Sequence, residues 1–198
     1  IIGSEGTLAF ISSITYNTVE DYKDKSLALI IYPNIKEACK AVQVLKQQPV
    51  SAVELIDRAG VRSVENTPGI PQYLKTISPA ATALLVETRA ANPAKLQEQV
   101  DIIKESIKDF TPELPFSFTT DTKKQAILWK IRKETLPTVA GMRKSGTNAI
   151  IEDICFPINM LADAVIDLRE VFDRNGYSDA VIFGHALEGN LHFMFNQD

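Results

Sequence analysis

Short apolar runs alternate along the chain with stretches of helical periodicity, and three segments repeat the same strand-then-helix pattern. In the first, an apolar run at 26–32 is followed by Asn34 as a helix N-cap, after which Ile35, Ala38, Val42 and Leu45 keep helical spacing. In the second, the run 83–88 is followed by Asn92 and Pro93, a cap and first-turn pair, and then by the stripe Leu96, Val100, Ile103 and Ile107. The third is the run 148–156, then Pro157 and a helix carrying Leu161, Val165, Leu168 and Phe172, closed by Asn175 and Gly176. A shorter strand and helix fit 52–65, and a strand fits 115–119. A helix fits about 121–136, with Pro137 limiting its extension. Residues 66–79 hold three prolines and one glycine and read as a loop or lid. Residues 179–195 read as two strands around a turn. The pattern predicts an α+β fold: a ferredoxin-like antiparallel sheet, in two repeats, with helices on one face. A doubly wound parallel sheet is the alternative, but no glycine-rich nucleotide loop follows an internal strand.

The terminal pair of strands carries the chain's candidate chemistry. The sequence has two histidines, His185 and His192, and both fall in Gly184-His185-Ala186-Leu187-Glu188-Gly189-Asn190-Leu191-His192-Phe193. On one straight strand, residues seven apart face opposite sides. A tight turn at Glu188-Gly189 would instead pair Ala186 with Leu191 and His185 with His192, with Cβ atoms about 5 Å apart. One face of that hairpin carries Phe183, His185, Asn190, His192 and Met194. The other carries Ile182, Ala186, Leu191, Phe193 and Phe195, wholly apolar, and must look into the core. Two adjacent neutral imidazoles suit a divalent metal, zinc most commonly. From spacing alone, a hydrogen-bonded histidine pair without metal stands equally open, and Asn190 beside glycine reads as well as a turn residue.

Composition narrows the function classes. With 45% hydrophobic and 23% charged residues, the 198-residue chain is neither disordered nor fibrous. A formal net charge of −4 without a basic block gives nucleic acid no electrostatic foothold. Cys39 and Cys155 lie far apart and form no CxxC pair, which predicts two reduced core thiols and a cytoplasmic location, with a peripheral place on a membrane left open. The opening Ile1-Ile2-Gly3-Ser4-Glu5-Gly6 has neither an initiator Met nor a signal-peptide pattern, so the chain is expected to be a piece of something longer.

The histidine segment resembles the GHxxxGNLH signature of FAD-linked oxidases of the vanillyl-alcohol oxidase type. That family includes D-lactate dehydrogenases, D-2-hydroxyglutarate dehydrogenases and the flavin subunit of glycolate oxidase. Gly3-Ser4-Glu5-Gly6-Thr7-Leu8 resembles the GSEGTLG motif that ends their flavin-binding domain. Ala52-Val53-Glu54-Leu55-Ile56-Asp57-Arg58 is similar to their A-x-E-L-M-D-R segment, and Leu128-Trp129-Lys130-Ile131-Arg132 to their L-W-x-x-R helix. Ile151 to Pro157 sits where they carry an E-D-x-x-x-P strand. The motifs occur in family order across nearly the whole chain.

The resemblance implies that residues 1–20 end a FAD-binding domain and that 21–198 form a substrate and metal domain, truncated before a further acidic metal ligand. It implies oxidation of a D-2-hydroxy acid (lactate, 2-hydroxyglutarate or glycolate type) with hydride transfer to FAD. By the same resemblance His185 and His192 are metal ligands, Arg132 pairs with the substrate carboxylate, Asn190 touches substrate, and Gly3, Ser4, Glu5, Gly6 and Thr7 lie along the flavin. An iron–sulfur module or a quinone would accept the electrons. There are departures. Ala9 stands where the family usually has glycine, and no lysine precedes Pro157 on its strand for a distal carboxylate. Glu152-Asp153 most resembles larger members with an appended iron–sulfur module, although a strand-end pair capping the next helix is the plainer role for these two. Without the resemblance, Arg132 would read as a surface arginine on an apolar stripe. No acid lies at i±3 or i±4 from it, which leaves a distant acid, solvent or an anionic ligand. The competing function class is a non-catalytic ferredoxin-like binding or regulatory module with a structural metal.

Overall fold

A computed structural model of the chain describes residues 3–197. Its centre is one antiparallel sheet of six strands in the order β1-β3-β2-β5-β6-β4. The strands are β1 (Asp24–Tyr32), β2 (Ala52–Ile56), β3 (Thr82–Ala90), β4 (Asn148–Cys155), β5 (Val181–His185) and β6 (Asn190–Gln197). The helices are α1 (Ile35–Leu45), α2 (Arg58–Val64), α3 (Pro93–Ser106), α4 (Thr122–Gly141) and α5 (Leu161–Arg174). Two units of strand–helix–strand–strand are visible: β1-α1-β2-β3 and β4-α5-β5-β6. In each, the first strand lies outermost and the third in the middle. The second strand meets its counterpart at a central seam, where Glu54, Leu55 and Ile56 lie opposite His185, Gly184 and Phe183. The predicted repeat and the α+β class are therefore present.

Helices lie on both faces of the sheet, where the pattern had placed them on one, although the outer strand β4 stays largely exposed. Strand residues Ala28, Ile30 and Tyr32 alternate with Leu27, Leu29 and Ile31, and the two sets belong to different cores. The first core packs under α1, α3 and α5. The second packs under α2 and α4, and Ile70, Leu74 and Ile77 of the proline-rich loop plug it. That loop is thus a core element and not an open lid. The strands of the first repeat are apolar on both faces, which is what a sheet buried on both sides requires.

Local capping follows the sequence closely. Asn34 and Asn92 accept from Glu37 N and Lys95 N, at 2.9 Å each. Three expectations change. The helix α4 runs through Pro137 to Gly141; Pro137 and Lys133, whose carbonyl loses its donor, are both exposed, so water can satisfy that carbonyl while Thr135 and Val139 stay packed. The strand expected at 115–119 is reduced to one bridge, with Thr119 exchanging hydrogen bonds with Leu27 at the edge of β1. Cys39 is buried, and burial pushes its thiol up to about 12, whereas Cys155 is exposed and is not a core thiol.

Asp57 caps α2 through Gly60 N at 2.8 Å from a buried position, and burial pushes its carboxyl up to about 6 despite the Gly60 N–H and the Arg169 guanidinium. The folded chain therefore holds this proton more tightly than the unfolded chain does. Between pH of about 4 and 6 stability falls as pH rises, and the penalty is complete above that window. Asp57→Asn keeps an acceptor for Gly60 and removes the charge. It is expected to flatten this part of the stability profile, by on the order of 2 kcal/mol, in thermal melts from pH 4 to 7.

Candidate active site

The seam places the candidate residues on the sheet face beneath α2 and α4. Glu54 on β2 lies opposite His185 on β5. Across the hairpin, His185 lies opposite Asn190 and Phe183 opposite His192, and Asp153 on β4 lies opposite His192. The two histidines are therefore diagonal neighbours and not the direct cross-strand pair expected. The cause is the connection: Ala186–Glu188 form a 3-10 turn and Gly189 adopts φ 64, so four residues make the loop instead of two. This moves the register by two residues, which preserves the facing of every side chain. The imidazoles still meet, edge to face, with ring centroids 5.1 Å apart, and Ile182, Ala186, Leu191, Phe193 and Phe195 still point into the first core.

Each imidazole is held by a carboxylate. His185 Nδ1 lies 2.7 Å from Glu54 Oε1, and His192 Nδ1 bonds to Asp153 Oδ1. An ionised carboxylate can only accept, so each Nδ1 carries its proton and each neutral ring keeps its lone pair on Nε2. This is the arrangement that orients histidines bound to metals. Among the described residues no group of three or more His, Cys, Asp or Glu is placed to hold a metal ion. Asn190 contributes a further acceptor: its Oδ1 is buried without a hydrogen-bond partner. Asp153 sits in the middle of its pairing with β6, and Met160 rather than an acid precedes α5. The expected capping role of Glu152-Asp153 is thus replaced by a contact to His192.

Arg132 reaches the same cluster from α4. Its Nε donates to Glu54 Oε2 at 2.7 Å, and its guanidinium lies over the Phe183 ring, 4.6 Å from the centroid. Its side chain is 14% exposed, so it does not lie on the surface. One turn earlier, Trp129 Nε1 donates to Glu87 Oε2 at 3.0 Å, so two buried carboxylates on neighbouring strands fasten one helix. The A-x-E-L-x-D-R and L-W-x-x-R segments, 78 residues apart, meet through Glu54 and Arg132. Glu54 was missed as a member of the site, and Asp153 was assigned to helix capping instead. Glu54 had a signal, since a charge inside the apolar run Ala52-Val53-Glu54-Leu55-Ile56 is unusual unless paired. Gly3, Ser4, Glu5, Gly6 and Thr7 form a separate turn, in which Thr7 bonds back to Ser4 O. Among the described residues, no hydrogen bond ties this turn to the histidine cluster.

Residues 22–198 match the family described as FAD linked oxidases, C-terminal domain. The chain belongs to this family. Individual relatives extend the match. The chain is 31% identical to the D-lactate dehydrogenase [cytochrome], mitochondrial, of Arabidopsis thaliana, over 97% of this chain and 32% of that protein. It is 26% identical to the D-2-hydroxyglutarate dehydrogenase, mitochondrial, of Rattus norvegicus, over 96% of this chain and 35% of that protein. The chain thus spans about a third of the length of these relatives. A solved alkyldihydroxyacetonephosphate synthase shares the fold, with a TM-score of 0.63 and 12% identity over 89% of this chain and 37% of that one.

Proposed function

We propose that this chain is the substrate and metal domain of a FAD-dependent D-2-hydroxy-acid dehydrogenase. The observation that carries the proposal is the pair of carboxylate-held histidines beside an inward arginine, all on one sheet face. The similarity to D-lactate and D-2-hydroxyglutarate dehydrogenases supports the substrate class. In this reading residues 1–20 end the FAD-binding domain of the same polypeptide, and the turn of Gly3 to Thr7 lies along the flavin.

The roles follow from chemistry. Two Nε2 lone pairs offer half of a tetrahedral zinc set, and the rest comes from substrate or from outside the described residues. A divalent ion held there would lower the pKa of the substrate hydroxyl, and the flavin would take up the two electrons. With Nε engaged by Glu54, Arg132 keeps its terminal Nη1/Nη2 edge for the substrate carboxylate, a fit for two parallel hydrogen bonds. The orphaned Asn190 Oδ1 would accept from the substrate hydroxyl. Metal analysis of the full-length protein tests the centre of this reading. A His185→Ala/His192→Ala variant is expected to lose bound divalent metal relative to wild type, and equal contents in the two would refute the metal role.

A further inference from the structure

We infer that Glu54 is a positioning residue, which sets the direction of the metal ligand His185 and of the substrate arginine Arg132 together. The inference rests on the metal and carboxylate roles proposed above and adds a residue those roles do not include.

Glu54 is 6% exposed and spends both oxygens on the site: Oε1 on His185 Nδ1 and Oε2 on Arg132 Nε, each at 2.7 Å. Its own position is fixed by strand pairing on both sides, with Leu85 on β3 and His185 on β5. One planar carboxylate therefore constrains two side chains from different elements. It keeps the His185 proton on Nδ1, and so the lone pair on Nε2. It also occupies Nε of the guanidinium, which leaves the two terminal nitrogens for another partner. A ligand that chelates a metal through its hydroxyl and carboxylate needs those two directions to agree, and an error of even 1 Å is costly in such a site.

Glu87 provides an internal comparison. It is 4% exposed, sits one strand away, and also fastens α4, through Trp129. Its other oxygen accepts from Arg89 rather than from a histidine. A role limited to burial and helix docking would make the two glutamates equivalent.

The experiment uses the full-length, metal-depleted protein titrated with Co2+ and followed by its visible absorption. Glu54→Gln is expected to weaken Co2+ binding by about 10–100-fold, the usual effect of removing a metal ligand's hydrogen-bond partner. Glu87→Gln should leave Co2+ affinity unchanged whatever it does to the melting temperature. At saturating Co2+, Glu54→Gln should also raise KM for D-lactate, because a single neutral amide oxygen cannot serve both Arg132 and His185 and the ion pair that holds the guanidinium is gone. Should Glu54→Gln fold poorly, Glu54→Gln/Arg132→Met removes the stranded cation and must show the same loss of Co2+ affinity. Wild-type Co2+ affinity in a folded Glu54→Gln variant overturns the inference, and an unchanged KM overturns its Arg132 half. If His185→Ala binds Co2+ as wild type does, the metal role itself is wrong and the inference falls with it.

Discussion

Arg132→Ala is expected to destabilise the domain by about 3–5 kcal/mol, the usual cost of removing one partner from a buried ion pair. Glu54 is buried, and the Arg132 guanidinium is the permanently charged group on it. Without the arginine, His185 alone must satisfy that carboxylate, and its side chain is 53% exposed. Equilibrium urea unfolding of the full-length protein checks the loss. Arg132→Lys separates folding from function: a lysine can reach Glu54 and keeps the charge, but it has no second donor edge for a substrate carboxylate. Its kcat/KM for D-2-hydroxy acids should fall by on the order of 1.5–3 kcal/mol. A kcat/KM for Arg132→Lys within about twofold of wild type, under roughly 0.5 kcal/mol, would remove Arg132 from the substrate site and leave it a structural clamp.

Gly189→Ala should be worse tolerated than its size suggests, by about 3 kcal/mol or more. Two effects add. The residue sits at φ 64, and a Cβ there would lie 1.9 Å from the carbonyl oxygen of Phe156. That oxygen is backbone, and the adjoining Phe156 N–H donates to Gly189 O at 3.0 Å, so neither strand can yield without opening the other. Gly176 isolates the first effect: it has φ 82, but nothing lies within 4 Å of a Cβ placed on it. Gly176→Ala should therefore cost only about 1 kcal/mol. The loop at Gly189 joins the strands bearing His185 and His192, so Gly189→Ala should also lose divalent metal while Gly176→Ala keeps it. Thermal melts and metal content of the two variants, side by side, decide the point; equal losses in both would mean that Phe156 does not constrain the hairpin.

Much of this architecture could be read from residue periodicity, and what escaped did so for identifiable reasons. The caps Asn34 and Asn92 and the stripes of α1, α3 and α5 are local, and local chemistry determines them. The hairpin faces were legible because one side is wholly apolar. The register was not, because a two-residue turn and a four-residue loop give the same alternation and differ only in where the ladder closes. The second helix layer was hidden by α4, whose apolar and polar residues are spread around its circumference, so its inward side mixes Leu128, Ile131 and Val139 with Trp129, Arg132 and Thr135 in place of a clean hydrophobic stripe. Glu54 and Asp153 acquire meaning only from partners 131 and 39 residues away. Arg132 illustrates the boundary well: the lack of an acid at i±3 or i±4 left a distant acid, solvent or an anionic ligand open, and only the fold names Glu54.

The seam between the two repeats has a further consequence. Glu54 comes from one repeat and His185 from the other, and the ladder that joins them is three residue pairs long. The site is therefore a coincidence detector: the second repeat holds His192 against Asp153 by itself, but the Glu54–His185 contact exists only while both halves are docked in register. A slip too small to melt either core would still separate the carboxylate from its imidazole. Heat should thus silence this domain before it unfolds it.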